Sequence, residues 1–375
     1  MPATPSYETV APYVGRALDI PLERLDTAFR PAVEADLPRI LALRRAVAGN
    51  DRWWDDTAFV RWRYFECGEE PSAYWVFEKD REIIGACGLE PIVLAVDGRA
   101  HRAVRTLDIM VRPDFDGRGL GAFINLALFR RFPITTVTGS NERSHHLISK
   151  MFRHTLDLGC WKAVVRSEPV LRDRLKRPAL ARTVAAAADL LLALERGIRL
   201  RRPPFEIQEL ARFDDRVTEL SLACERPGRI MVRRSAEYLN WRFVRNPRCR
   251  YRILGAFDGG RLAGYVVWRL NLARPNPWRV GEIVDWLAGP EPDADGAALR
   301  ALIGAALQRL VREGAGLVVC MAFGDGLEPV MRAAGLRFRP DQRLPFFVRA
   351  SDPALHERLA SGRGWFLNSG DFDVE

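Results

Sequence analysis

The sequence predicts a mixed α/β fold, a central and mostly antiparallel sheet flanked by helices, built twice in one chain. Three observations carry that prediction. A segment near residue 60 returns near residue 240, the same order of strand and helix patterns follows each occurrence, and a glycine-rich turn joins strand to helix in the first occurrence. At 375 residues the chain also exceeds what one ordinary core fills, so two units are the natural division by length.

The repeat is direct. "FVRWRYFECGEEPSAYWVFEKDREIIG" from Phe59 returns as "YLNWRFVRNPRCRYRILGAFDGGRLAG" from Tyr238, about 179 residues later. Trp62 falls on Trp241, Arg63 on Arg242, Tyr64 on Phe243, Pro71 on Pro247, Tyr74 on Tyr251 and Gly85 on Gly264. A Trp-Arg-aromatic triplet inside so short a match makes chance a poor explanation, and its presence in both copies speaks for packing.

Each element then follows in order. Residues 1–28 read as an N-terminal arm. "FRPAVEADLPRILALRRAVAG" gives a short strand, a turn and a helix whose Leu37, Ile40, Leu41 and Leu43 share one face, with Asp36 as its expected cap. The turns "EKDRE" and "DGGR" each join two strands as a hairpin. Next come "VRTLDIMV" and "VGEIVDWLA", holding Asp108 and Asp285 at equivalent places, then a helix, a strand ("ITTVTGS", "GLVVCMA") and a second helix. The resulting division is 29–170 and 205–350 for the two units, with a linker at 171–204 and a C-terminal tail at 351–375. An alanine- and leucine-rich helix between Pro178 and Pro203 fills the linker. It packs on the body or, with arginines at both ends, touches an anionic membrane surface along residues 178–202.

Bulk properties exclude several classes. The charge of +9 comes from 57 Lys and Arg against 48 Asp and Glu, and no aromatic residues interleave with a basic stripe, which disfavours a nucleic-acid partner. Six cysteines stand singly and five histidines form no ligand spacing, so no metal is expected. Without an export signal or a long apolar run, a cytoplasmic protein is expected.

The stretch "VRPDFDGRGLGAFIN" from Val111 holds Gly117, Gly119 and Gly121 at the start of a helix, where backbone N–H groups and the helix dipole suit an anion. A dinucleotide fold would place such glycines after the first strand, and a P-loop would follow them with Lys-Ser or Lys-Thr; here Ala122 and Phe123 stand instead.

The order strand, helix, hairpin, strand, "GRGLG", helix, strand, "SNERS", helix resembles the GCN5-related N-acetyltransferases, from about Phe29 to Val165 by motif and from about Phe205 to Ala350 by repeat alone. The resemblance implies two tandem acetyltransferase-like domains. It also implies acetyl-CoA, or another acyl-CoA, as co-substrate and direct attack of an amine on the thioester, with a small molecule or an amino sugar as acceptor. It assigns the pyrophosphate to the loop Asp116, Gly117, Arg118, Gly119, Leu120, Gly121 and Ala122, and the pantetheine to the main chain of Ile109, Met110 and Val111. Asn141 and Ser144 carry over as further cofactor contacts. Asp116 departs from the family's usual Gln or Arg, so it must turn away or pair with Arg112 or Arg118. The family's tyrosine acid would fall near Ile148 or Phe152, neither of which donates a proton; Ser144, His145, water or free thiolate release remain. Asp108 is either the base or a buried structural aspartate.

In the second copy the acid-rich run from Glu291 to Asp295, with Pro290 and Pro292, stands where the phosphate loop belongs, so this copy is expected to be degenerate. Two rivals follow. The Fem-type aminoacyltransferases are also tandem copies of this fold and use aminoacyl-tRNA; a non-catalytic binding module is the other.

Overall fold

Hairpin turns set the sheet. Asp97 and Gly98 (φ 52° and 82°), Asp80 and Arg81 (51° and 64°), and Gly259 and Gly260 (53° and 85°) all take left-handed backbone, the geometry of two-residue turns that match the twist of adjoining strands. The computed structural model describes residues 5–49, 56–68, 72–139, 142–175, 182–189, 205–271, 279–290 and 296–372.

The first half runs α1 (Tyr7–Leu18), α2 (Leu22–Ala28), β1 (Phe29–Pro31), α3 (Leu37–Ala48), α4 (Thr57–Phe65), β2 (Tyr74–Lys79), β3 (Glu82–Val96), β4 (Arg99–Val111), α5 (Leu120–Arg131), β5 (Ile134–Thr138), α6 (Glu142–Met151), β6 (Arg153–Val164) and α7 (Glu168–Leu175). The second runs β7 (Glu206–Leu210), α8 (Asp215–Cys224), β8 (Ile230–Val232), α9 (Ala236–Leu239), β9 (Arg252–Asp258), β10 (Arg261–Asn271), β11 (Val280–Ala288), α10 (Ala297–Arg312), β12 (Leu317–Phe323), α11 (Leu327–Ala333), β13 (Arg337–Ala350), α12 (Pro353–Ala360) and β14 (Trp365–Asn368).

One sheet contains all of these strands, in the order β1-β2-β3-β4-β5-β13-β6-β12-β11-β10-β9-β7, with β8 and β14 joined at its side. Exchange β1 with β7, β2 with β9, β3 with β10, β4 with β11, β5 with β12 and β6 with β13, and the order reads unchanged from the other end. The centre is reciprocal: β13 lies between β5 and β6, and β6 lies between β13 and β12. Each half thus completes its neighbour's sheet.

Helices cover both faces. Ala11, Val14 and Leu18 of α1 bury against Phe123, Ile124 and Ala127 of α5 on one face. Ser6 caps α1 by accepting from the backbone of Thr9. The N-terminal arm is therefore packed on the sheet's helix layer. On the other face α3 and α4 bury Ile40, Leu43, Val60 and Tyr64 against Val76, Ala86 and Met110. Among the described residues no helix is long and apolar enough to cross a membrane.

Two expectations need correction. Asp36 makes no side-chain cap on α3; its carboxylate accepts from the Val33 backbone at 2.9 Å and pairs with Arg30 and Arg39, closing the turn that leads into the helix. Leu41 is only partly buried, and Arg44 takes the inward place one turn on from Ile40. Of the linker helix, residues 182–189 are helical, with Ala185 buried and Asp189 accepting from the Ser167 backbone at 2.7 Å; the rest of residues 178–202 lies outside the described residues. The C-terminal segment is built into the sheet: α12 precedes β14, which pairs with β12 and β8.

Candidate active site

A gap in the sheet defines the site. β4 pairs with β5 only at Val104 with Thr135 and Arg105 with Thr136, and the Thr106 hydroxyl reaches the Thr136 carbonyl at 3.3 Å. Beyond that point β4 stays with β3, while β5 stays with β13, where the Gly139 N–H donates to the Pro345 carbonyl at 2.8 Å. The main chain of Ile109, Met110 and Val111 therefore borders an opening between parting strands. On β5 the hydroxyls of Thr135, Thr136 and Thr138, and on α5 Asn125 Oδ1, are buried without a hydrogen bond among the described residues, while Asn125 Nδ2 donates to the Gly121 carbonyl at 2.9 Å.

The glycine loop stands at the mouth of this gap. Gly117 and Gly119 take φ of 75° and 77°, and Gly119 is the N-cap of α5 with no side-chain cap, which leaves the first N–H groups of α5 to another acceptor. Val111, Gly121 and Leu147 converge: a Cβ on Gly121 would meet Leu147 at 3.8 Å and Val111 at 4.0 Å. Leu120 is buried, its side chain against Gly85, and Ala122 is partly buried beside α1. Gly119 has a second use, because a Cβ there would stand 3.1 Å from the Tyr13 ring and 3.2 Å from Val14 of α1. The arm sits directly on the loop.

Asp116 folds back on its own loop. It is exposed, and its Oδ1 accepts from the Gly117 N–H at 3.0 Å. The expected partner Arg112 is engaged elsewhere, bonding Asp114 at 2.7 and 2.9 Å and Glu82. Arg118 reaches the Ala17 carbonyl at 3.4 Å, and its guanidinium lies 5.0 Å from the Phe115 ring centre. Carboxylates hold Arg112, while the Phe115 ring and the end of α1 hold Arg118, so the Asp116 carboxylate takes a backbone donor instead.

Asp108 points to the α3 and α4 face. Its Oδ2 accepts from Tyr64 Oη at 2.5 Å and from Arg44 Nη1 at 3.0 Å, with the aspartate side chain 10% exposed. Burial, and after it the Asp108 charge, pushes the Tyr64 phenol well above its ordinary value, so it stays a donor. Arg44 is not singled out by the sequence, and Tyr64 stands there only as the aromatic of the repeated triplet, not as a partner of Asp108. The nearest sequence signal is Gly88, where a Cβ would fall 2.5 Å from the Tyr64 ring.

Ser144 and His145 lie on the first turns of α6, Ser144 half-buried and His145 exposed with its ring 6.1 Å from that of Phe347. Phe347 belongs to β13, so the second half supplies part of the wall here, a contribution no local pattern announced. Asn141 lies outside the described residues. Ile148 and Phe152 are buried against Leu126 and Val137, in the core and away from proton chemistry.

In the second half the matching gap is filled by the chain itself. β11 pairs with β12 at Val280 to Glu282 and then parts from it, and β14 enters. Asn368 Nδ2 donates to the Trp286 carbonyl at 3.1 Å, and Ser369 Oγ accepts from the Met321 N–H at 3.0 Å. Trp286 is the counterpart of Ile109, counting from the two aspartates. The acid-rich run expected to repel phosphate, residues 291–295, lies outside the described residues, and the filled gap gives a separate reason why no pantetheine would thread there. Among the described residues no group of three or more metal-ligating side chains converges.

Residues 40–152 match the model of the acetyltransferase (GNAT) family. On that match the chain is classified as an N-acetyltransferase, an enzyme of acyl transfer. Among curated proteins no relative matches. Solved structures share the fold. A GCN5-related N-acetyltransferase from Anabaena variabilis aligns with a TM-score of 0.60 at 10% identity, covering 86% of this chain and 72% of that one. A probable N-acyltransferase from Enterococcus faecalis aligns at 0.56 with 12% identity, covering 86% and 71%. The N-myristoyltransferase of Saccharomyces cerevisiae, solved with myristoyl-CoA, aligns at 0.54 with 10% identity, covering 86% and 82%. The fold is that of the GNAT superfamily, and family and fold together support acyl-CoA-dependent acyl transfer.

Proposed function

We propose that this chain moves an acetyl group from the thioester of acetyl-CoA to an amine of a small molecule or amino sugar, by direct attack and with no covalent enzyme intermediate. Residues 29–170 form the cofactor-binding copy and residues 205–350 a degenerate copy. Residues 171–204 link the two, and residues 351–375 are a C-terminal tail whose strand β14 stands in the second gap. One observation carries the reading. The gap between β4 and β5 is open beside an uncapped, glycine-led helix N-terminus, whereas its counterpart is occupied by β14.

In this reading Ile109 to Val111 hold the pantetheine arm by main-chain hydrogen bonds, and the N–H groups of Gly119 to Ala122 take the pyrophosphate. Gly117 has already given its N–H to Asp116, so the phosphates sit toward the helix. Ser144 and His145 of α6 are proposed to exchange a proton with the departing thiolate or the amine, and Asn141 carries over from the family only as a further cofactor contact. Asp108 comes to the reaction with its carboxylate bound by Arg44 and Tyr64, which favours a supporting role over that of a free base.

Isothermal titration of the full chain with acetyl-CoA tests the reading. It expects one site per chain, lost in Gly121→Phe, whose side chain would fill the space between Val111 and Leu147. Absence of binding to the unmodified chain would overturn it.

A further inference from the structure

The N-terminal arm meets the glycine loop with a side chain that core packing does not explain. Tyr13 of α1 is 49% exposed, and among the described residues it is the one aromatic side chain in so open a position. What it touches is the loop, since a Cβ on Gly119 would stand 3.1 Å from its ring. An aromatic ring carries much apolar area and is ordinarily buried, so one left open beside a candidate ligand site has a surface to offer.

The arm holds this ring in place. Ala11, Val14 and Leu18 anchor α1 on α5. Tyr7 Oη donates to Asp26 Oδ1 at 2.8 Å, and the Arg130 guanidinium of α5 lies 4.1 Å from the Tyr7 ring centre. Arg16 stands one turn on from Tyr13, exposed and with no carboxylate partner among the described residues. Arg118, from the loop itself, reaches the Ala17 carbonyl at 3.4 Å and so joins the same patch. The acids of the loop are turned elsewhere: Asp116 accepts from the Gly117 N–H, and Asp114 pairs with Arg112. A flat ring beside two guanidinium groups matches a base joined to a phosphate, because the base stacks on the ring and arginine binds phosphate through paired N–H groups.

We propose that the arm forms the subsite for the 3′-phosphoadenosine end of acyl-CoA, with Tyr13 stacked on the adenine and Arg16 and Arg118 on the ribose phosphate. This rests on the acyl-CoA reading above. A pyrophosphate at the start of α5 puts the nucleotide beside Tyr13, because that ring lies against Gly119, the N-cap of the helix. Residues 7–18 thus complete a cofactor site although they precede the copy that supplies the gap.

The test is isothermal titration of the full chain with acetyl-CoA, with 3′-dephospho-acetyl-CoA and with S-acetyl-4′-phosphopantetheine, which lacks the 3′-phosphoadenylate. The unmodified chain is expected to bind acetyl-CoA most tightly. Tyr13→Ala is expected to weaken acetyl-CoA at least about fivefold, the lower end of base stacking, and to leave S-acetyl-4′-phosphopantetheine within about twofold of the parent. Tyr13→Phe keeps the ring and should bind acetyl-CoA as the parent does. Arg16→Gln is expected to weaken acetyl-CoA and to leave the dephospho compound unchanged. Equal weakening of acetyl-CoA and the pantetheine compound by Tyr13→Ala would make the ring a brace for the loop and overturn the proposal, while sparing the acyl-CoA reading. Equal affinity of the unmodified chain for those two ligands would do the same. Failure of the unmodified chain to bind acetyl-CoA would overturn both.

Discussion

Trp62 and Trp241, equivalent by the sequence repeat, exchange hydrogen bonds. The indole N–H of each donates to the backbone carbonyl of the other, at 2.9 and 3.0 Å, and the rings stack with centroids 5.3 Å apart. Both side chains are buried, so this pair joins α4 to its counterpart where the two halves meet. Trp62→Phe or Trp241→Phe strands a buried carbonyl, and each is expected to cost about 1–3 kcal/mol in urea unfolding. Because the two bonds share one contact, the double variant should cost less than the sum of the singles. Full additivity would show that the two bonds act independently.

Glu90 collects the neighbouring charges. Its Oε2 meets Arg242 at 2.7 Å and Arg63 at 3.0 Å, and its Oε1 meets Arg105 at 2.6 Å and the Tyr238 hydroxyl at 2.7 Å. Burial pushes this carboxyl up, but Arg242, Arg105 and Arg63 outweigh it and bring it from 4.5 to about 2. A depressed folded value means that the stabilisation is complete above the unfolded value and fades as pH falls through about 4.5 toward 2. Glu90→Gln leaves three buried guanidinium groups short of a counter-charge. It is expected to lose about 3–5 kcal/mol at neutral pH and to flatten the acid limb of stability against pH. A limb unchanged in the variant would assign it to other carboxylates.

Gly119 serves two neighbours, which decides how the phosphate loop should be probed. Gly119→Ala meets left-handed backbone and the Tyr13 ring together, and is expected to lower stability by about 1–3 kcal/mol before any effect on cofactor. Gly121→Phe has space at Cβ and should weaken acetyl-CoA binding with a smaller loss in melting temperature. Equal loss of stability in both would show that α1 does not depend on the space left at Gly119.

Gly88→Ala should act through Tyr64. Its Cβ would fall 2.5 Å from the ring, and overpacking of this kind is expected to cost about 1–3 kcal/mol by thermal unfolding. A further substitution Tyr64→Ala, which removes the obstructing ring, should recover little stability, because Asp108 then loses the Tyr64 donor and the core loses a buried aromatic side chain. Full recovery would show that the ring is mere filler.

The sequence by itself determined the repeat, the element order and the glycine-led start of α5. These are local matters: a Trp-Arg-aromatic triplet, alternation along strands and residues that accept left-handed backbone all act within a few neighbours. The burial of Trp62, Arg63, Trp241 and Arg242 also follows from the triplet's presence in both copies. Tertiary structure alone decided the exchange of β6 and β13 between halves, because a strand's pattern says which face it buries and not which chain segment lies beside it. It also decided that Trp365 to Asn368 would fill the second gap, that Tyr13 and Val14 would rest on Gly119, and that Arg44 would meet Asp108 across 64 residues. Asp36 shows the same division within one turn: an acid before a helix reads as a cap, until Arg30 and Arg39 compete for its carboxylate. Hydrogen-bonding strength is local, but the choice of partner depends on which groups folding brings within about 3 Å.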